Sequence, residues 1–211
     1  MKKQVKREEI IEAAKKLIMQ KGYRKTSVED ITHEVGIAKG SFYTYFKSKD
    51  FLMETLLSEK AEIHKEYMEK LIEGTKTLEE AVEKYIEYYL IMPTKDIEFV
   101  LVMVKMMRSI DSIGKKVIDR LEADKRNRKN EFITILKKYS ERADIENEKD
   151  FDRYGLLVFG MINTFYLNNF LPAENRFSEF EYDEMKEKIE KVDFNYEIKF
   201  MTKSILKLIK K

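Results

Sequence analysis

The sequence predicts an all-α protein, in which three short N-terminal helices are joined by a long helix to a C-terminal helical bundle. Only 2 prolines and 7 glycines occur among 211 residues, and these two residue types disfavour a helix interior most strongly. Apolar side chains recur at helical spacing along most of the chain. Residues 28–47 also have the pattern of two short helices joined by a tight turn.

Periodicity and capping residues define the helices of the N-terminal part. Gly22 stands where a left-handed residue would end the first helix, and Gly36 ends the second. Thr26 and Ser27 each precede an acidic residue by three positions, so either can form a capping box at the start of the second helix. Four helices are predicted here, over residues 6–21, 28–36, 39–46 and 49–73.

Apolar stripes predict further helices in the rest of the chain, and two prolines set helix ends. Pro93 and Pro172 are each expected to stop a helix, because proline lacks a backbone N–H and its ring clashes with the preceding turn. No flexible linker is visible, so the domain boundary is placed inside the fourth helix, giving domains 1–50 and 51–211. The predicted helices cover residues 78–92, 97–107, 113–142, 151–170 and 183–210, with a loop over 173–182.

Residues 28–47 predict a helix-turn-helix. Gly36 tolerates the positive φ that the turn needs. Thr32 is unexpected inside such a motif, because a buried hydroxyl requires a hydrogen-bond partner. Five residues can lock the two helices at a steep angle and close a small core with the first helix: Ile31, Val35, Ile37, Phe42 and Tyr45.

The second helix of this motif is expected to face the major groove of DNA, where such helices read base edges. Lys39 can reach a guanine edge or a phosphate, and Gly40 lets the backbone approach closely. Lys49, at the start of the next helix, can pair with a phosphate through its charge. The DNA-contact residues predicted from this pattern are Thr26, Ser27, Lys39, Gly40, Ser41, Tyr43, Thr44 and Lys49.

The charge distribution agrees with a DNA-binding N-terminal part. Residues 1–50 hold 12 Lys and Arg against 7 Asp and Glu, whereas the rest of the chain holds 29 against 32. The net charge of the whole chain is only +2. A basic head on a mildly acidic body therefore suits a nucleic-acid partner.

This segment resembles the N-terminal domain of the TetR (tetracycline-repressor) family of transcriptional regulators. The likeness covers about residues 8–56 and rests on the run AAKKLIMQKGYRKTSVEDITHEVGIAKGSFYTYFKSKDFL. Two positions depart from the family pattern: Ala38 replaces a frequent capping Ser, and Glu29 stands where some members carry a basic contact residue. The DNA contacts that the resemblance implies are Lys39, Ser41, Tyr43, Tyr45 and Lys49.

The C-terminal part is predicted to hold a small-molecule site, and the resemblance also implies a pocket there. Met and aromatic side chains suit an adaptable pocket for an apolar or aromatic ligand, although such residues are more often ordinary core. Arg108 and Asn163 are polar residues within apolar helices and can orient a ligand. The predicted ligand-binding residues are Tyr89, Met103, Met107, Arg108, Phe159, Asn163 and Tyr166.

A homodimer is predicted from the C-terminal helix and from residues 154–167, which are apolar on nearly every side. The C-terminal apolar residues are spaced 4, 3, 4 and 3, as in a coiled-coil seam. The alternative is that both segments pack only on their own chain. The seam consists of Phe194, Ile198, Met201, Ile205 and Leu208.

Other functional classes find little support in the sequence. No cysteine is present, so disulfides and thiol chemistry are excluded. His33 and His64 are the only histidines, and no metal-ligand spacing surrounds them. No signal peptide or membrane-spanning segment is visible. We therefore expect a cytoplasmic protein that is not an enzyme and has no metal, cofactor or membrane partner.

Together, these patterns predict a sequence-specific transcriptional regulator. The expected form is a ligand-responsive repressor that binds double-stranded DNA as a homodimer on a palindromic operator and responds to a small apolar or aromatic effector. One alternative is a helical small-molecule-binding protein without sequence-specific DNA binding. Another is a DNA-binding protein that needs no ligand.

Overall fold

The computed structural model describes residues 2–142, 145, 147–170 and 182–209, and within these ranges the regular secondary structure is helical. Short 3-10 turns occur at Ile110–Ser112 and Ser140–Arg142. The α-helices are α1 (Lys2–Lys21), α2 (Val28–Val35), α3 (Lys39–Tyr43), α4 (Lys49–Gly74), α5 (Leu78–Lys95), α6 (Ile97–Met107), α7 (Lys115–Lys138), α8 (Glu148–Asn169), α9 (Tyr182–Glu190) and α10 (Phe194–Ile209).

The described residues form two compact units. The first consists of residues 2–61 and 96–122, with 182–184. Within it, α1 packs on α2 and on α6, and α2 packs on α3. The side chains buried at its centre come from each of these helices, from the segment after α3 and from the starts of α4 and α7, and they include Ile10, Ile18, Ile31, Phe42, Phe46, Leu52, Val102, Met106 and Val117.

The second unit consists of residues 62–95, 123–170 and 185–209. Its α5 packs along α10 and also contacts α8. Each unit draws on several segments of the chain, whereas the predicted boundary near residue 50 divides the sequence once, so that boundary stays a prediction. The apolar stripes of the two main helices meet here, and they include Val82, Tyr85, Ile86, Leu90, Ile198, Met201, Ile205 and Ile209.

The predicted helix end at Pro93 is wrong, because α5 continues through this residue to Lys95. Proline at position 93 removes one hydrogen bond, the one to the carbonyl of Tyr89. The loss falls in the last turn, where few bonds follow. The Thr94 hydroxyl donates to the Ile91 carbonyl at 2.7 Å and gives this turn an additional bond. Pro172 and nearly all of the predicted loop over 173–182 lie outside the described residues.

Three of the five residues of the heptad-like seam of α10 are buried, and they are buried against their own chain. Ile198, Met201 and Ile205 are buried within the second unit, where α10 packs on α5. Leu208 is exposed. The spacing therefore predicted burial correctly, while the surface that covers these side chains belongs to the same protomer.

Among the described residues, no helix combines the length and the hydropathy that a membrane span requires.

Candidate nucleic-acid interface

The start of α2 is held by a capping box. The Ser27 hydroxyl accepts a hydrogen bond from the backbone N–H of Asp30 at 3.1 Å, and the Asp30 carboxylate accepts one from the N–H of Ser27 at 2.7 Å. Lys21 lies 2.8 Å from the same carboxylate. The bonds to Lys21 and Ser27 hold the pKa of Asp30 well below its usual range. Of the two boxes that the sequence allows, the one at Ser27 forms.

The turn between α2 and α3 has the expected geometry. Gly36 adopts φ 70° and ψ 38°, the left-handed conformation. Its neighbour Ile37 donates its N–H to the Thr32 carbonyl at 2.9 Å. The buried Thr32 hydroxyl finds its partner in the Glu29 carbonyl at 3.1 Å, so this departure is accommodated. The predicted helix-turn-helix is present in the structure.

Helix α3 and the residue after it expose four of the nine residues predicted to contact DNA. Phe42 is fully buried beneath the helix, whereas the neighbouring Tyr43 is 50% exposed and meets the Phe42 ring edge-on at 5.5 Å. Lys39, Gly40 and Thr44 are also exposed. These four residues therefore form one accessible surface, which we call the α3 face. It consists of Lys39, Gly40, Tyr43 and Thr44.

Other predicted contact residues have structural partners in the free protein. The buried Thr26 hydroxyl donates to the Gly22 carbonyl at 2.9 Å. Tyr45 is half-buried against the core of the first unit. Ser41 is half-buried, and its carbonyl accepts from the Thr44 hydroxyl at 2.7 Å.

Lys49 is anchored inside the first unit. Its ammonium group donates to the carbonyls of Tyr23 and Thr26, both at 2.6 Å, and lies 4.0 Å from the centre of the Tyr23 ring. Burial lowers its pKa. An ammonium group has three N–H donors, so one remains for a phosphate after the two carbonyls are satisfied. Lys49 thus also fastens the turn between α1 and α2.

One feature of this surface was noticed in the sequence only as a departure from a family pattern. Glu29, in the first turn of α2, forms an ion pair with Lys39 at the start of α3. The two residues raise the pKa of Lys39 and lower that of Glu29, chiefly through their hydrogen bond. Exposed Arg24 and Lys25, in the turn before α2, add positive charge that the predicted contact set left out.

The sequence of this region matches a known family model. Residues 10–56 match the model described as "Bacterial regulatory proteins, tetR family". The chain carries the TetR-family domain. The match begins within α1, contains α2 and α3 with the Gly36 turn between them, and ends within α4.

Curated relatives match less than half of this chain. The uncharacterized HTH-type transcriptional regulator YuxN of Bacillus subtilis is 53% identical over 49 residues, which cover 23% of this chain and 17% of that protein. The fatty acid metabolism regulator protein of the same organism is 36% identical over 72 residues, which cover 34% of this chain and 37% of that protein. The chain therefore matches less than half the length of these relatives.

Solved structures match the chain over almost its whole length. FadR from Bacillus subtilis, solved in complex with stearoyl-CoA, has a TM-score of 0.64 at 20% identity, covering 93% of this chain and 96% of that one. A TetR transcription regulator from Haloarcula marismortui has a TM-score of 0.67 at 15% identity, and the match covers 99% of this chain and 100% of that one. These likenesses confirm the all-α fold of the chain.

The predicted ligand-binding residues fall into both units. Met103 packs against the core of the first unit, and Met107, next to Arg108 at the end of α6, is exposed. Within the second unit, Tyr89 is buried and the three residues from α8 are half-buried. The set stays a prediction. Its members in the second unit are Tyr89, Phe159, Asn163 and Tyr166.

A polar cluster in the second unit escaped the sequence prediction. His64 of α4 contacts the Tyr88 hydroxyl through Nδ1 at 2.8 Å and the Glu131 carboxylate through Nε2 at 2.9 Å. The Tyr89 hydroxyl donates to the same carboxylate at 2.5 Å. Burial, followed by the charge of Glu131, raises the pKa of Tyr88 to about 12. The sequence contains no signal for these contacts, because the partners of His64 lie 24 and 67 residues away along the chain.

An ion pair lies beside this cluster. Arg128 of α7 is 2.7 Å from the Asp124 carboxylate, and its guanidinium lies 5.6 Å from the centre of the Tyr89 ring. The Tyr85 hydroxyl donates to the Arg128 carbonyl at 2.9 Å. Within the described residues, no group of His and acidic side chains has the arrangement of a metal site. The second unit thus holds charged and phenolic groups among aromatic rings.

Proposed function

We propose that the chain is a sequence-specific DNA-binding transcriptional regulator, and that it acts as a ligand-responsive repressor in the cytoplasm. The observation that carries this proposal is the α3 face, exposed behind the Gly36 turn of a TetR-family domain. The buried Phe42 fixes the side of α3 that faces the protein, so Lys39 and Tyr43 project from the other side. This is the placement that major-groove reading requires.

The proposed contacts to DNA are of two kinds: contacts to phosphates, which position the protein, and contacts to base edges, which read the sequence. Lys49 and the basic turn before α2 suit phosphate oxygens, which set the register without reading sequence. Lys39 at the start of α3 suits a guanine edge, whose O6 and N7 atoms accept from lysine. One such domain offers few base contacts, so tight specific binding needs two copies on a palindromic operator.

The surface of the second unit supports a homodimer. α8 and α10 are neighbours, since the Tyr154 hydroxyl donates to the Leu208 carbonyl at 3.1 Å. Both helices carry large apolar side chains that remain exposed in the single chain, and exposed apolar surface is a feature of association sites. We call this the α8/α10 face. It consists of Leu156, Leu157, Leu167, Tyr196, Phe200 and Leu208.

The effector is proposed to be a small apolar or aromatic molecule that binds in the second unit. The tyrosines around His64 and Glu131 offer both ring faces and hydrogen-bond partners, which is the composition of a selective pocket. The FadR of Bacillus subtilis carries stearoyl-CoA in its solved complex, which favours an apolar ligand here as well. Effector binding can change the affinity of the protein for DNA only if the effector binds two conformations of the protein with different affinities.

Selection of bound duplexes from a random pool tests the proposal. We expect the full-length protein to select a palindrome whose half-sites lie about one helical turn apart. The double variant Lys39→Ala/Tyr43→Ala should lose specific binding. A matched control, Tyr182→Ala/Lys186→Ala, removes an exposed tyrosine and lysine at the same spacing from α9 and should bind as the wild type does.

Two results would contradict the proposal. If the wild type selects no preferred sequence, the chain is better explained as a helical small-molecule-binding protein. If the double variant keeps wild-type specific affinity, the α3 face is not the reading surface.

A further inference from the structure

The ion pair between Glu29 and Lys39 lies on the surface that is proposed to read DNA. The Glu29 side chain is 64% exposed and that of Lys39 is 50% exposed, so both charged ends reach solvent. The pair joins the first turn of α2 to the first residue of α3. It therefore presents an acceptor and a donor side by side, next to Tyr43.

The other acidic residues of α2 face different cations. Asp30 is used by the capping box and by Lys21, and Glu34 pairs with Lys16 of α1. Glu29 is thus the acidic residue of α2 that accompanies the proposed reading helix. Its position distinguishes it from Glu34, which has the same charge and a similar ion pair.

A carboxylate at a DNA interface is repelled by the phosphates, and a hydrogen bond that it accepts from the DNA can offset this cost. The amino group at N4 of cytosine is a base-edge donor that carboxylates accept from in the major groove. In a G·C pair, two acceptors, N7 and O6 of guanine, stand next to this donor. An A·T pair instead places its donor between two acceptors and ends in a methyl group.

We infer that the Glu29–Lys39 ion pair reads one G·C base pair in each half-site. Lys39 donates to O6 or N7 of guanine, while Glu29 accepts from N4 of the paired cytosine and keeps its contact with Lys39. Glu29 is then a specificity-determining residue, and the negative charge on the reading surface has a function. The inference rests on the proposed DNA-binding function and adds the identity of one base pair.

The rival explanation is that Glu29 only weakens DNA binding through its charge. In that case its removal would strengthen binding to every duplex by the same factor, since phosphate repulsion does not depend on sequence. A reading role predicts the opposite pattern, in which the preference among base pairs changes.

The experiment compares the full-length wild type with Glu29→Ala, using duplex selection and then affinities for G·C and A·T versions of each selected position. We expect the wild type to prefer G·C at one position per half-site by on the order of tenfold. Glu29→Ala should lose most of this preference at that position alone. Glu29→Gln should move the preference toward A·T, because glutamine pairs with adenine through N6 and N7.

Glu34→Ala is the matched control, since it removes an exposed glutamate and an ion pair from the same helix. It should leave the selected sequence unchanged. Lys39→Ala should lose preference at the same base pair, and the Glu29→Ala/Lys39→Ala double variant should lose little more than either single variant does, because the two residues act as one unit.

The outcomes separate this inference from the function on which it rests. A wild type that selects a palindrome, with Glu29→Ala selecting the same bases at unchanged ratios, overturns the inference and keeps the proposed function. Uniformly stronger binding by Glu29→Ala also overturns it. A wild type without sequence preference overturns both. Thermal unfolding of each variant verifies that the domain remains folded.

Discussion

Asp30 illustrates how single side chains orient the helices of the first unit. Its carboxylate accepts from Ser27 and pairs with Lys21, so it ties the start of α2 to the end of α1. Lys49 fastens the same turn from below through two carbonyls. The turn that precedes the proposed reading motif is therefore held by charged groups from three helices.

This role of Asp30 predicts a pH dependence of stability. The pKa of Asp30 in the folded state lies below its ordinary value of 3.8, so the folded state binds fewer protons than the unfolded state in that region. The stabilisation is present above pH 4 and is lost as the pH falls through the lower, folded-state pKa. Asp30→Asn should lower the free energy of unfolding at pH 7 and flatten its fall below pH 4.

Urea unfolding between pH 7 and pH 2.5 measures this effect. Asp119→Asn serves as the control, because Asp119 is an exposed aspartate of α7 in the same unit. An Asp30→Asn variant whose stability falls with pH as steeply as that of the wild type would contradict the assigned role.

Individual residues of the site could be predicted when the signal was local. The Gly36 turn, the Ser27 box, the buried Phe42 and the exposed Tyr43 all follow from spacing within a few positions. The carbonyl partners of Lys49 could not be predicted, since they lie 26 and 23 residues earlier. Neither could the His64 cluster, whose members meet only after three helices have packed.

At the level of whole helices, periodicity predicted which side of each element is buried but not what covers it. The spacing of α10 indicated a seam, and the structure buries that seam on α5 of the same chain. The prediction at Pro93 failed for a different reason. Proline removes one hydrogen bond of α5, and the helix nevertheless continues for two more residues.

Two glycines of α8 provide a test of helix packing. A methyl group at Gly155 would stand 2.9 Å from a Lys129 carbon and 3.0 Å from an Ile133 carbon of α7, whereas nothing lies within 4 Å of one at Gly160. Gly155→Ala should therefore lower the free energy of unfolding by about 1–2 kcal/mol, because the two helices must separate. Gly160→Ala should raise it by up to about 1 kcal/mol through helix propensity.

Denaturant unfolding of both variants at one protein concentration gives the comparison, since an associating protein gains stability with concentration. Equal losses in the two variants would show that α7 and α8 are not closely packed at Gly155.

At the scale of the whole molecule, the proposed function needs two reading helices at a fixed separation. The α8/α10 face supplies exposed apolar area for this association, and it shares only the exposed Leu208 with the α10 seam, whose Ile198, Met201 and Ile205 are buried. The excess of Lys and Arg lies in the N-terminal part of each chain, so a dimer brings two positive surfaces to one DNA duplex.

A charged substitution on the α8/α10 face should yield folded monomers. Leu156→Glu/Phe200→Glu places two carboxylates where apolar surface would be buried, which is costly without a partner. We expect sedimentation to give a mass near the 25.3 kDa of one chain, against twice that value for the wild type, and loss of specific DNA binding. Ile63→Glu, at an exposed apolar position of α4, is the control and should stay dimeric. A wild type that sediments as a monomer would contradict the proposed dimer.

The inward orientation of the α10 seam has a practical consequence for deletion experiments. Residues 194–209 cover the apolar side of α5, so a chain shortened before this helix would expose that side to water. Such a product would aggregate or be degraded. Its lack of activity in a reporter assay would therefore give no information about subunit association. Point changes on the outer side of the helix are the informative ones, because they leave the interior intact.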